Sequence, residues 1–313
     1  MPSKGVKKKF KDALANIGLT DFLLHLSKNK LRILMYHGVS ENELSQDIFE
    51  QQLRYIKKRF DCYWVSEVPE LLSTKTGRCR PALILTFDDG LKNNLTRVAP
   101  LLEKYNIKAT FYIVNDFLRG GQMLWFGEMR CLLMIIRNSD LPQEIPLFSE
   151  KPKARWSEIK QFVDTVKDWP NDNRQRLLET LRRILPAPSF ENWMKEEFEV
   201  MSRENVLRLP EMVEIGSHTL THPILTSITD EQAKNEIQDS KEKIESWLGK
   251  RIKTFCYPNG IFSKRDVDLV KESYEAAVCV KEGFAEGPLH TLARIPVAKN
   301  MCDFIFRLVR PIS

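Results

Sequence analysis

Two kinds of hydrophobic patterning divide the chain. In the first and last thirds, short apolar runs alternate with segments that repeat at helical spacing. Arg32 to Val39 reads as a buried strand, and a helix from about Asp47 to Lys58 sets Phe49, Leu53 and Ile56 on one face. Ala82 to Phe87 is continuously apolar between Pro81 and Asp88-Asp89-Gly90, the pattern of a strand covered on both faces. A helix over Asn94 to Tyr105 and a strand over Ala109 to Val114 follow. After the middle third come strands at Val213–Ser217, Arg251–Tyr257, Ala276–Val280 and Leu292–Val297, with helices between them. Thr229 and Gln232 form a capping box for a long helix that Gly249 stops.

From roughly Leu118 to Leu209 the pattern changes. This stretch is helical, charged and tryptophan-bearing, with its clearest helices at Ser157–Trp169 and Asp172–Leu185, ended by Pro170 and Pro186. It reads as an insertion packed beside the rest. Seven or so strands alternating with helices predict an α/β fold, a closed or nearly closed (β/α) barrel, over residues 31–313 with the insertion at about 118–209.

Composition adds little to the fold. At 313 residues, 42% hydrophobic and 29% charged, the chain can build a sizeable core within one domain. The +6 net charge is uneven: in a basic segment over residues 1–30, Lys4, Lys7, Lys8, Lys9 and Lys11 cluster at the start and Lys28 and Lys30 come later, with Arg32 just beyond. One reading is a solvated end. The other is peripheral attraction to an anionic membrane or acidic glycan, helped by Phe10, Leu14, Ile17, Phe22, Leu23, Leu24 and Leu26. No nucleic-acid-binding module accompanies the charge. Apolar stretches near the start are interrupted by Asp12, Asn16, Asp21 and His25, and six scattered cysteines form no C-x-x-C pair. These features predict a cytoplasmic protein with reduced thiols, with membrane association through the basic segment as an open alternative.

Two clusters carry candidate chemistry. Thr86-Phe87-Asp88-Asp89-Gly90 ends an apolar strand, the end of a parallel barrel where catalytic groups gather. Adjacent carboxylates there point in different directions, so one can bind a metal while the other acts as a base; the plainer reading is an Asp-Gly turn. Ser217-His218-Thr219-Leu220-Thr221-His222-Pro223 follows another strand and holds two of only five histidines. With Asp89 they form a two-histidine, one-carboxylate set that leaves positions open for water and substrate.

TFDDG at 86–90 and HTLTH at 218–222 together resemble the first two motifs of the polysaccharide deacetylase family, also called the NodB-homology family or carbohydrate esterase family 4. The resemblance spans about residues 30–300. It implies a distorted (β/α)₇ barrel, a divalent metal (most readily zinc) held by Asp89, His218 and His222, and Asp88 as general base. A glycan substrate losing an N-acetyl group follows. A hydrolase of formamides or cyclic amides on the same fold and a catalytically impaired glycan-binding protein are the alternatives.

Three departures from the family pattern bear on the site. Cys256-Tyr257-Pro258-Asn259-Gly260 stands where the family has R-x-P-[YF]-G. The loop and the Asn259 backbone N–H, as an oxyanion donor, carry over; the arginine that orients the base does not. Arg294 is a candidate substitute, with a structural role equally open. The family's leaving-group histidine has only a poorly matched late candidate, His290. Met35-Tyr36-His37-Gly38 resembles the branch acting on N-acetylglucosamine exopolysaccharides, so His37 is preferred over His290 as acid or substrate-binding residue, with a core histidine as the alternative. Among the aromatics of the middle stretch, Trp125 and Phe126 are candidate groove residues; Trp156, Trp169 and Trp193 read as packing.

Overall fold

In the computed structural model, which describes residues 19–74, 78–137, 145, 147, 148 and 154–309, the alternating segments form a closed barrel of seven parallel strands. The sheet has eight strands, of which all but the second form the ring: β1 (Arg32–Tyr36), β2 (Asp61–Tyr63), β3 (Ala82–Phe87), β4 (Ala109–Ile113), β5 (Val213–Ser217), β6 (Thr254–Cys256), β7 (Ala276–Glu282) and β8 (Leu292–Pro296). β1 pairs with both β3 and β8, which closes the ring. The remaining strand, β2, joins the sheet only through β3. It pairs with residues 82–84 of β3, whereas β4 pairs with residues 85–87 of the same strand. Three residues of β2 had too little apolar periodicity to be predicted.

Helices connect the strands: α1 (Leu19–Leu26), α2 (Gln46–Arg59), α3 (Val68–Ser73), and α4 (Ala99–Tyr105), which a turn of π-helix at Asn94–Val98 leads into. Between β4 and β5 lie α5 (Trp125–Ile136), α6 (Trp156–Val166), α7 (Asn171–Ile184), α8 (Asn192–Phe198) and α9 (Arg203–Leu207). α10 (Asp230–Leu248), α11 (Lys264–Ser273) and α12 (Met301–Val309) complete the chain. The capping box at Thr229 and Gln232 forms, and Gly249 ends α10 with φ 69°, where glycine carries no Cβ penalty.

Strand alternation makes two apolar layers. Ile33, Ile84, Tyr112, Val278 and Leu292 pack in one cluster inside the barrel, while Leu34, Leu85, Phe87 and Phe111 pack outward against the helices. A buried side chain of this size contributes about 1.5–3 kcal/mol. The helices between β4 and β5 carry a core of their own, with Met129, Leu132, Leu133, Ile159, Val163, Leu178 and Leu181.

The expected strands run shorter in two places. Arg251–Tyr257 contracts to β6, and the first strand stops at Tyr36, which leaves His37 beyond its end. None of the six cysteines, all of them among the described residues, forms a disulfide. No helix among the described residues is long and apolar enough to cross a membrane. Of the basic N-terminal segment, Lys4 to Lys11, Phe10, Leu14 and Ile17 lie outside the described residues. Within α1, Leu24 is buried while Phe22 and Leu26 are exposed.

Candidate metal centre and cavity

Both carboxylates follow the last residue of β3 and both histidines follow β5, so the parallel barrel delivers them to one rim. Asp89 and Gly90 have positive φ (72° and 64°), as do Thr219 (71°) and His222 (58°). A non-glycine residue in this region costs of order 1 kcal/mol or more. Loop contacts hold the histidine turn: the Thr219 hydroxyl accepts from the His222 amide at 3.0 Å. Glu236 on α10 accepts from the amides of Leu220 and Thr221, both at 2.9 Å. Nothing in the local sequence marked Glu236, fourteen residues after His222 and on the following helix.

Asp89, His218 and His222 are all buried, and one donor atom from each lies within 4.8 Å of the others. The His218 Nδ1 pairs with the Cys256 carbonyl oxygen at 2.7 Å, which turns Nε2 towards Asp89 Oδ1 at 3.6 Å. His222 Nε2 stands 3.4 Å from the same oxygen. These separations are long for hydrogen bonds. They match a tetrahedral ion, whose ligands at about 2.1 Å stand about 3.4 Å apart. Anchoring the outer nitrogen of a histidine to a carbonyl is also the usual way a metal ligand is oriented. The residues therefore fit a divalent ion. A second donor group, Asp88, His218 and Cys256, does not. Asp88 is engaged elsewhere, and Cys256 Sγ faces the same guanidinium that engages it.

Arg294 is what engages it. From β8, with no solvent exposure, its Nη1 and Nη2 donate to the two oxygens of Asp88 at 2.7 and 2.8 Å. The guanidinium is fixed by Nε to the Cys279 carbonyl at 2.9 Å and by Nη1 to the Thr86 hydroxyl at 3.0 Å. Cys256 Sγ lies 3.4 Å from Nη2. Burial alone would raise the Asp88 pKa, but Arg294 holds it below the ordinary carboxylate value, with smaller contributions from His218 and His37.

These residues open on a cavity of about 410 Å³, lined also by His37, Tyr257 and Asn259. His37 is exposed at its mouth and lowers the pKa of both Asp88 and Asp89 through its charge. Asn259 has φ 53° and Gly260 φ 65°; a Cβ on Gly260 would clash with the Val280 side chain, so the loop after β6 requires glycine there. His290 is not brought to the cavity. It precedes β8, and its Nε2 pairs at 2.9 Å with the Tyr274 carbonyl, two residues ahead of β7, so it sits at the opposite end of the barrel.

The helices between β4 and β5 form the far wall. Phe126 packs its ring 5.5 Å from that of His222. Arg130, Lys160, Asp164, Lys167 and Glu197 line the same cavity, and sequence reasoning singled out none of them. Trp125 lines a separate cavity of about 330 Å³ on the other side of His222. Trp156 and Trp193 pack edge-to-face, and Trp169 packs on Phe162.

The family model described as polysaccharide deacetylase matches residues 75–127 and 159–274, more than half of the chain. YxkH of Bacillus subtilis is 20% identical over 292 residues, covering 88% of this chain and 75% of its own. Among solved structures, the Streptococcus pyogenes deacetylase PplD, in complex with acetate, superposes with a TM-score of 0.61 at 19% identity, covering 90% of this chain and 99% of that one. IcaB from Ammonifex degensii gives 0.58 at 14% identity, with 90% and 97% covered. The BpsB deacetylase domain from Bordetella bronchiseptica gives 0.56 at 14%, with 86% and 96%. At these identities the structural likenesses bear on the fold.

Proposed function

Because the chain belongs to the polysaccharide deacetylase family, we propose that it is a metal-dependent hydrolase that removes an N-acetyl group from an amino-sugar glycan. The observation that carries this reading is the pairing of two arrangements at one rim. Asp89, His218 and His222 have the spacing of an ion's ligands, and beside them Asp88 is held ionised by Arg294. A divalent ion, most readily zinc, would supply a Lewis acid and a more acidic water when bound by those three residues.

The remaining work falls to the chain's own groups. Asp88 accepts a proton from the attacking water; its pKa, below the ordinary value, keeps it ionised at neutral pH. Arg294 orients that carboxylate by holding both oxygens. The Asn259 backbone N–H, at the cavity edge, donates to the oxygen on which charge develops. His37, exposed at the mouth, protonates the departing amine. Phe126 packs beside His222, the two rings tilted by 58°, and offers an apolar face to a sugar ring.

The deciding measurement is metal content together with acetate release from N-acetylglucosamine oligomers, for the native protein and for Asp88→Asn. Bound metal and acetate release in the first, with metal alone in the second, is the expected result. A native protein that binds no divalent metal sinks the reading, and full activity in Asp88→Asn removes the base assignment. Parallel assays with N-formyl sugars identify the amide that is cut.

A further inference from the structure

The cavity wall facing the candidate metal centre holds more cations than carboxylates, and the imbalance is local. Asp164 is shared by Arg130 Nη2 at 2.9 Å and Lys167 Nζ at 3.0 Å. Glu43 is shared by Lys160 Nζ at 2.5 Å and Lys299 Nζ at 3.0 Å. All six side chains line the same cavity. Each trio sets two cations against one carboxylate and so carries a formal charge of +1.

The other carboxylates of the cavity do not restore the balance. Glu197 accepts from Asn42 Nδ2 at 2.7 Å and makes no ion pair among the described residues; burial raises its pKa. Asp88 is matched by Arg294, and Asp89 faces the two imidazoles. The wall therefore keeps an excess of one to two positive charges. It is assembled by the fold and not by a basic run: Arg130 comes from α5, Lys160 from α6, Lys167 from the C-cap of α6, Lys299 from the segment after β8, and Glu43 from the loop after β1.

A cleft with low-dielectric walls focuses such a field, and an under-compensated trio gains charge-assisted hydrogen bonds when an anion joins it. We propose that this rim recognises an oxyanion carried on, or next to, the sugar that bears the acetamide: a phosphate ester or a uronate carboxylate. The identity of the sugar rests on the deacetylase reading; the recognition of an anion rests on the charge arrangement alone. A merely solvated rim, its spare charge met by salt ions, is the competing account.

Titration calorimetry on full-length, metal-loaded Asp88→Asn separates them. The probes are N-acetylglucosamine, N-acetylglucosamine 1-phosphate, and N-acetylglucosamine linked to glucuronate. At low salt, one charged probe is expected to bind about tenfold more tightly than the neutral sugar, and the margin shrinks to about twofold near 0.3 M salt. The charged probe that wins distinguishes phosphate from carboxylate. Lys160→Gln with Lys167→Gln should remove most of the margin. Lys299→Gln, at a side chain 61% exposed and safe for folding, should remove part of it.

Equal binding of all three probes overturns the proposal. So does a preference that survives these substitutions, because it then belongs to the metal. Acetate release by the native protein is read separately: an anion preference with no acetate released from any probe removes the hydrolase reading and leaves the rim standing.

Discussion

The barrel and the helices between β4 and β5 contribute different things to one cavity. From the barrel come Asp88, Asp89 and His218, all just past the ends of strands and all buried, with Arg294 of β8 buried behind Asp88. Their positions follow from backbone geometry that the whole ring enforces, so they are held within tight limits. From the helices come Phe126, Arg130, Lys160 and Lys167, long side chains at the edge of a core that packs largely on itself. In this proposal the rigid part performs chemistry and the adjustable part selects what reaches it. Substitutions in the two regions should therefore fail in different ways.

The largest effect is expected at the ligands. His222→Ala should lower metal affinity by more than about a hundredfold and leave no measurable turnover, and chelation of the native protein should do the same reversibly. Metal analysis alongside acetate release checks both, and a variant that keeps metal and activity would break the assignment. Asp88→Asn comes next, with turnover down by about 10²–10⁴-fold and metal content unchanged.

Arg294→Met should cost about 10²-fold in turnover and about 3–5 kcal/mol in stability, since it leaves a buried carboxylate without its partner. The sign of the pH effect is fixed by the pair. The native Asp88 pKa lies below its ordinary value, so the pair stabilises the fold at neutral pH and that contribution fades as the pH falls through the native pKa. Without Arg294 the Asp88 pKa rises, and the acid limb of kcat/KM should move to higher pH. A purely structural arginine would lower stability and leave the limb in place. His37→Ala is a milder case: about tenfold in turnover, unchanged metal, and stability within about 0.5 kcal/mol, because the residue is exposed. An effect confined to His290→Ala would reverse that role.

The same division explains what could be read from the chain. The run Ala82–Phe87 coincides with β3 residue for residue, and the two motifs sit where a strand end was expected, because a few neighbouring residues encode each. Arg294 was visible as a charge in an apolar strand, but its partner lies 206 residues away, and only closure of the ring brings the two together. His290 shows the converse. Late position and residue type made it a candidate, and its place ahead of β8 sends it to the wrong end of the barrel. The cationic rim left no local trace, since Glu43, Arg130, Lys160 and Lys299 come from four separate segments.

The smallest effect tests the comparison itself. Phe126 is a helix residue that packs against a candidate ligand, its ring centre 5.5 Å from that of His222, with the Arg130 guanidinium 5.7 Å from its own centre. If the two regions divide the work as argued, His222 is placed by the turn that Thr219 and Glu236 hold, and Phe126 is a wall. Phe126→Ala should then raise KM about three- to fivefold, the loss of roughly 1 kcal/mol of stacking against the sugar, with kcat and metal content within about twofold of native. Steady-state kinetics with metal analysis reads all three quantities. A fall in kcat together with metal loss would mean that the helices help hold the ligand, and the boundary between chemistry and selection would have to move into the barrel.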